Sequence, residues 1–169
     1  MVQIGFWKMH GLGNDYIVID NRDGEISEES LGGLARRLCR RKFSVGADGL
    51  LLVYESSIGD ARMRIFNADG TEAEMCGNGI RCFAKYCYEN NITKGSRLLV
   101  ETLAGIKEVW LDIKDGGVET VKVDMGSPIF ERRMIPVLGE GKCIDEDLKA
   151  GNESFKVTCL SVGNPHCVI

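Results

Sequence analysis

One cysteine in this sequence stands in a setting that could do acid–base chemistry. It lies in Met75-Cys76-Gly77-Asn78-Gly79-Ile80-Arg81-Cys82, just ahead of a helix predicted over residues 78–89. The apolar stripe Ile80, Phe83, Ala84, Cys87 and Tyr88 recurs at helical offsets and defines that helix. The positive partial charge at a helix N-terminus favours a thiolate over a thiol. The flanking glycines let a ligand come close to the backbone. Unpaired N–H groups of the first turn can hold an anion such as a carboxylate. A thiolate beside a carboxylate pocket is what removal of a proton α to a carboxylate requires. The alternative for Cys76 is a buried cysteine that only caps the helix. Cys82 is displaced along the axis by about 9 Å and rotated past a half-turn. It therefore does not share the pocket, and Cys82 and Cys87 read as core or helix surface.

Other candidates are polar and lie in loops. Gly11-Leu12-Gly13-Asn14-Asp15 begins like a dinucleotide fingerprint, but Tyr16 stands where a third glycine belongs and the segment precedes a strand. As a binding loop it offers Asn14, both donor and acceptor; an ordinary turn is the alternative. Asn67, in Phe66-Asn67-Ala68-Asp69-Gly70, is either a turn residue or a substrate ligand. In Gly163-Asn164-Pro165-His166, His166 is a general base, a charge that tunes a thiol, or a hydrogen-bonded structural histidine. His10 has no partner that the sequence names.

The elements that must position these residues are mostly strands. Strands are predicted over residues 2–8, 16–20, 50–54, 61–66, 97–102, 107–113, 119–125 and 155–162, from branched and aromatic residues between turn signals. Residues 9–15 read as a loop from their glycines, and residues 71–74 as a short extended piece. A first helix is expected to start at Ser27, with Leu31, Leu34, Ala35 and Leu38 as its stripe. Arg36, Arg37, Arg40, Arg41 and Lys42 crowd its last turns and read as cations at a helix C-terminus. Residues 139–152 read as loop or a short helix. The fold class is α+β. Residues 1–120 form one domain. Residues 121–169, ending on Cys167-Val168-Ile169 as if a strand were beginning, read as the opening of a second domain.

Composition narrows the function. The 169 residues are 44% hydrophobic and 27% charged, with a formal net charge of −4, ordinary for a globular protein. That charge argues against nucleic acid as a partner. No apolar run approaches a membrane span, and the start lacks the regions of a signal peptide. A cytoplasmic protein with reduced thiols is expected. The seven cysteines include no Cys-x-x-Cys pair, which speaks against a zinc or redox protein.

Five segments, in order, resemble the diaminopimelate epimerase family. They are Lys8-Met9-His10-Gly11-Leu12-Gly13-Asn14-Asp15, Val45-Gly46-Ala47-Asp48-Gly49, Phe66-Asn67-Ala68-Asp69-Gly70, the Met75–Cys82 segment, and Gly163-Asn164-Pro165-His166. The resemblance implies two similar domains, each a mixed sheet wrapped around a central helix, with the active site in the cleft between them. It implies interconversion of LL- and meso-diaminopimelate, a step toward lysine and cell-wall precursors, with no metal, pyridoxal phosphate or other cofactor. Two cysteines would work from opposite faces of the α-carbon, one as thiolate and one as thiol.

By position, Cys76 resembles the first catalytic cysteine, and the Gly77 and Asn78 N–H groups part of the carboxylate cradle. Asn14, Asn67 and Asn164 resemble the asparagines that read the distal end of the substrate, and His166 the histidine near the site. At Gly49 many members carry a glutamine that touches substrate; glycine offers no such contact. The second cysteine of the family sits in a Cys-Gly-Thr-Gly-type segment, which residues 1–169 do not contain. The chain is accordingly expected to be C-terminally truncated and inactive by the two-base route when alone. Family members are often dimers, so the resemblance allows a homodimer besides the small-molecule substrate. The neighbouring readings are a proline racemase-like protein, a hydroxyproline epimerase, a phenazine-pathway isomerase, or a non-catalytic ligand-binding fragment.

Overall fold

The computed structural model describes residues 3–169. They form, in order, β1 (Trp7–Gly11), β2 (Asn14–Asp20), α1 (Leu31–Leu38), β3 (Gly49–Tyr54), β4 (Ala61–Asn67) and β5 (Glu72–Ala73). Then come α2 (Gly77–Glu89), β6 (Arg97–Thr102), β7 (Gly105–Lys114), β8 (Gly117–Val123), β9 (Glu146–Ala150), β10 (Glu153–Ser161) and β11 (Pro165–Val168). The chain divides into two compact units that meet at Asp124 and Met125. The boundary expected after residue 120 falls inside β8, whose pairing with β7 carries the first unit through Val123.

The first unit is an α+β structure on a mixed sheet ordered β1-β2-β3-β4-β6-β7-β8, with β5 alongside β4. The pairs β2–β3 and β4–β6 are parallel and the others antiparallel. Helix α2 touches β1 and β2 at one end of this order and β7 and β8 at the other, so the sheet curls around it. Helix α1 packs on β3 and β4. Its Leu31, Leu34 and Ala35 meet Ile17, Ile19, Leu50, Leu52 and Phe66. Side chains alternate along a strand, so Leu51 and Ile65 face the other way. There their methyls stand 3.3 and 3.4 Å from where a Cβ at Gly79 would lie. Covered on both faces, Ile17–Val18–Ile19 and residues 50–53 are apolar without alternation.

The second unit is smaller. Its sheet runs β11-β10-β9, all antiparallel, over a core of Ile135, Cys143, Val157 and Cys159.

Several elements differ from their sequence expectation, each for a local reason. Of the strand expected over residues 2–8, residue 2 lies outside the described residues, residues 3–6 take no regular structure, and the observed strand is Trp7–Gly11. The expected loop at 9–15 is instead the end of β1, a two-residue turn and the start of β2, with Gly11 opposite Asn14. Leu12 and Gly13 have φ of 52° and 91°, as a tight hairpin with two positive-φ residues requires. Leucine is a poor signal for that conformation, and it sits there 86% exposed. Ser27 opens only a 3-10 turn, Glu28–Ser30, before α1 begins at Leu31. Its hydroxyl makes no cap, and the Glu28 carboxylate reaches Arg64 at 2.5 and 2.7 Å. Arg40, Arg41 and Lys42 lie past the end of α1. Within residues 139–152, Glu146–Ala150 is a strand, closed onto β10 by a turn at Gly151-Asn152. All its residues are exposed, so no apolar alternation marked it.

Phe83 is the largest fully buried side chain, in the middle of α2. Phe83→Ala is expected to lower unfolding free energy by about 3–5 kcal/mol, read by urea denaturation. A loss under about 1 kcal/mol would mean that α2 does not carry the core.

Candidate active site

Cys76 is the N-cap of α2. Its backbone is extended, with φ −144° and ψ 118°, and its Sγ accepts from the Gly79 N–H at 3.4 Å. A cysteine thus fills the place usually taken by Ser, Asp or Asn. Its carbonyl takes the Ile80 N–H at 2.9 Å. Two first-turn donors remain without a partner among the described residues, the N–H groups of Gly77 and Asn78. The Cys76 side chain is half-buried, and Tyr16 Oη lies 2.9 Å from Sγ. The capping and catalytic readings of Cys76 therefore describe one geometry: the cap is what aims the sulfur beside the free donors.

Sheet register gathers other candidates at the same end. Tyr16 pairs with Gly49, and Gly49 with Asn67, in one row across β2, β3 and β4. Asn14 opens β2 two residues before Tyr16. Its Oδ1 accepts from Asn78 Nδ2 at 2.6 Å, and its Nδ2 donates to Asp48 Oδ2 at 3.3 Å. Asn14 and Asn78 are thus locked together across the turn and the helix start. Gly11 allows this closeness, since a Cβ there would lie 3.1 Å from the Asn78 carbonyl oxygen. Arg81 in turn donates to Asn78 Oδ1. Asn67 closes its own turn: its Nδ2 donates to Thr71 Oγ1 at 3.0 Å. In the second unit, Asn164 Oδ1 lies 3.1 Å from His166 Nε2, so these two are brought to each other.

Three features were not singled out from sequence. In the sequence Tyr16 reads as the start of a strand, standing where a dinucleotide fingerprint would have a glycine. Asp48 anchors both the Asn14 side chain and the Asp15 N–H, at 3.3 and 3.1 Å. Arg41, expected merely to complement a helix end, bridges Asp15 and Asp48 at 2.6 and 2.7 Å. Lys8 is a second cation on Asp15, at 2.6 Å. The Arg41 guanidinium, with help from Lys8, holds the Asp15 carboxyl well below the usual carboxylate range. The buried thiols of Cys39, Cys82 and Cys87 are all pushed up by burial first. Among the described residues no group of three or more His, Cys, Asp or Glu side chains is placed to hold a metal ion. None of their helices is long and apolar enough to cross a membrane.

The curled sheet around a helix that starts at a cysteine belongs to a class of folds with solved members. The fold matches a probable proline racemase from Agrobacterium radiobacter with a TM-score of 0.72 and 17% identity, over 98% of this chain and 51% of that one. It matches a hydroxyproline epimerase from Agrobacterium vitis with a TM-score of 0.71 and 14% identity, over 96% and 50%. At these identities the likeness is one of fold.

Within that class the sequence itself decides. Residues 6–131 match the family model described as diaminopimelate epimerase. The diaminopimelate epimerase of Methanothermobacter thermautotrophicus is 54% identical over 167 residues, 97% of this chain and 58% of that protein. That of Moorella thermoacetica is 52% identical over 164 residues, 96% and 58% respectively. The chain belongs to the diaminopimelate epimerase family, and it spans 58% of the length of these relatives.

The charge cluster predicts a pH dependence. A carboxyl held low in the folded state adds stability that is fully present above its unfolded value, about 4. The contribution fades as pH falls from there toward the folded value. Parent protein should therefore be more stable than Asp15→Asn at neutral pH, and the gap should close below about pH 4. Urea midpoints of the two proteins across pH check this; a gap unchanged into acid would contradict it.

Proposed function

We propose that this chain provides one face of a diaminopimelate epimerase active site, with Cys76 as its acid–base group. The observation that carries the reading is the convergence at the start of α2. The Cys76 sulfur is held by the Gly79 N–H beside the free N–H groups of Gly77 and Asn78. An α-carboxylate bound by those two donors would set its α-carbon next to the sulfur. The Cys76 thiolate then takes the α-proton: the C–H bond breaks, an S–H bond forms, and the electron pair moves onto the α-carbon and its carboxylate. Fixed N–H dipoles stabilise that charge as it develops. A proton returned from the opposite face inverts the centre, and the reverse reaction exchanges the two roles.

In this reading Asn14 and Asn67 bind the distal amino-carboxylate end, and Asn164 and His166 of the second unit keep the substrate-binding and near-site roles that the family resemblance implies. The diamino diacid offers donors and acceptors at both ends, which suits an amide-rich set. Asn14 has two partners already, but an amide retains a second N–H and a second lone pair. The group on the opposite face is the Cys-Gly-Thr-Gly-type cysteine that the family resemblance implies. No cysteine besides Cys76 starts a helix among the described residues, so none is assigned that role. The reaction needs no cofactor, and the reading places it in the cytoplasm.

The test is incorporation of solvent deuterium at the α-carbon of LL- and meso-diaminopimelate. Exchange that falls at least about 100-fold in Cys76→Ser and Cys76→Ala supports the assignment. Exchange that survives both substitutions removes Cys76 from the chemistry. Silence from the 169-residue chain and from one extended to the length of its relatives overturns the epimerase reading. Stability separates the two roles of the residue. Cys76→Ala should lose about 0.5–2 kcal/mol with its cap, whereas Cys76→Ser should keep most of it.

A further inference from the structure

The Cys76 sulfur has a second partner, the phenol of Tyr16 at 2.9 Å. Tyr16 is 4% exposed on β2, and its ring fills the space that Gly49 leaves open. A Cβ at Gly49 would stand 3.4 Å from Cδ1 and Cε1 of that ring and 3.0 Å from the Phe66 carbonyl oxygen. The ring thus lies against Gly49 of the neighbouring strand, and its oxygen meets the sulfur. Either atom could give the proton when both are neutral. Ionisation decides the direction. Burial pushes the Tyr16 phenol far up, and its bond to Cys76 pushes it further. The other titratable groups bearing on it, Cys82 from α2 and Asp48 just ahead of β3, also push it up. Where the sulfur acts as a thiolate, as the proposed function requires, the phenol is the partner left with a proton to give, and the pair is O–H···S⁻.

We propose that Tyr16 is the positioning residue of Cys76, its phenol donating to the sulfur so that the thiolate is stabilised and aimed at the substrate. This rests on Cys76 being the acid–base group. The Gly79 N–H and the Tyr16 O–H then approach the sulfur from the helix and from the sheet, and a lone pair is left for the proton of the substrate. A hydrogen bond to an ionised partner is roughly twice as strong as a neutral one, so its loss should be visible in ionisation.

The experiment is the pH profile of Cys76 alkylation by iodoacetamide, read by mass spectrometry on the peptide that holds Cys76. In Tyr16→Phe the profile should move up by about one pH unit relative to the parent, with alkylation about tenfold slower on the rising limb. Protection of the buried Cys82 in the same digests reports that the variant is folded. Protein made with 3-fluorotyrosine keeps the ring and strengthens the donor, so its profile should move down. Opposite displacements in the two proteins support the proposal. A Tyr16→Phe profile that superimposes on the parent overturns it, as does an unmoved fluorotyrosine profile if the phenylalanine variant unfolds. Neither result touches the deuterium assay with Cys76→Ala, so failure of the Tyr16 role and failure of the epimerase reading are told apart.

Discussion

An α-helix begins with four N–H groups that its own backbone cannot satisfy. In α2 they belong to Cys76, Gly77, Asn78 and Gly79: the sulfur of Cys76 takes that of Gly79, and the Cys76 carbonyl accepts the first regular helical bond, from the Ile80 N–H. The N–H groups of Gly77 and Asn78 are left without a partner among the described residues, in the turn that the sulfur fixes. Capping, anion binding and acid–base chemistry therefore share one stretch of four residues. The same contact ties reactivity to fold, because the atom proposed to carry the proton also holds the helix start in place.

The rest of the first unit serves to hold that helix end. The sheet curls so that strands at both ends of its order pack against α2, burying Ile80, Phe83 and Cys87 completely. Strands β2 and β3 start at the site and β4 ends there, so backbone pairing sets where Asn14, Tyr16, Gly49 and Asn67 stand. The hairpin turn at Leu12-Gly13 carries Asn14 to Asn78, and Asp48 with Arg41 secures the turn from the other side. Charges outside the helix are thus tied through the amide of Asn14 to its first turn. That path is continuous in hydrogen bonds, from Arg41 through Asp48, Asn14 and Asn78 to Arg81.

Features with a one-dimensional signature were legible in the sequence. The stripe of α2 has helical offsets, and Cys76-Gly77-Asn78-Gly79 stands where the stripe begins, so helix, cap and candidate thiol came together. The strands of the first unit other than β1 were legible because branched residues and turn signals alternate along them. What was hidden depends on contacts distant in sequence. Tyr16 and Cys76 are sixty residues apart, and only the β2 register and the curl of the sheet bring them together. Asp48 and Arg41 look like ordinary surface charges until Asp15 lies between them. The exposed strand β9 has no buried face, and so no pattern to find. Leu12 adopts a backbone that leucine disfavours, which no propensity argument would assign to it.

The central claim is that the first turn of α2 binds the carboxylate of an amino acid beside Cys76. The most direct measurement is a titration of ¹⁵N-labelled protein with meso-diaminopimelate, followed by amide resonances. The account predicts that the Gly77 and Asn78 amides shift most, with smaller shifts at Gly79, and that a diaminopimelate amidated at both carboxylates leaves them in place. Saturable shifts confined to residues away from the start of α2, with Gly77 and Asn78 unmoved, would contradict it.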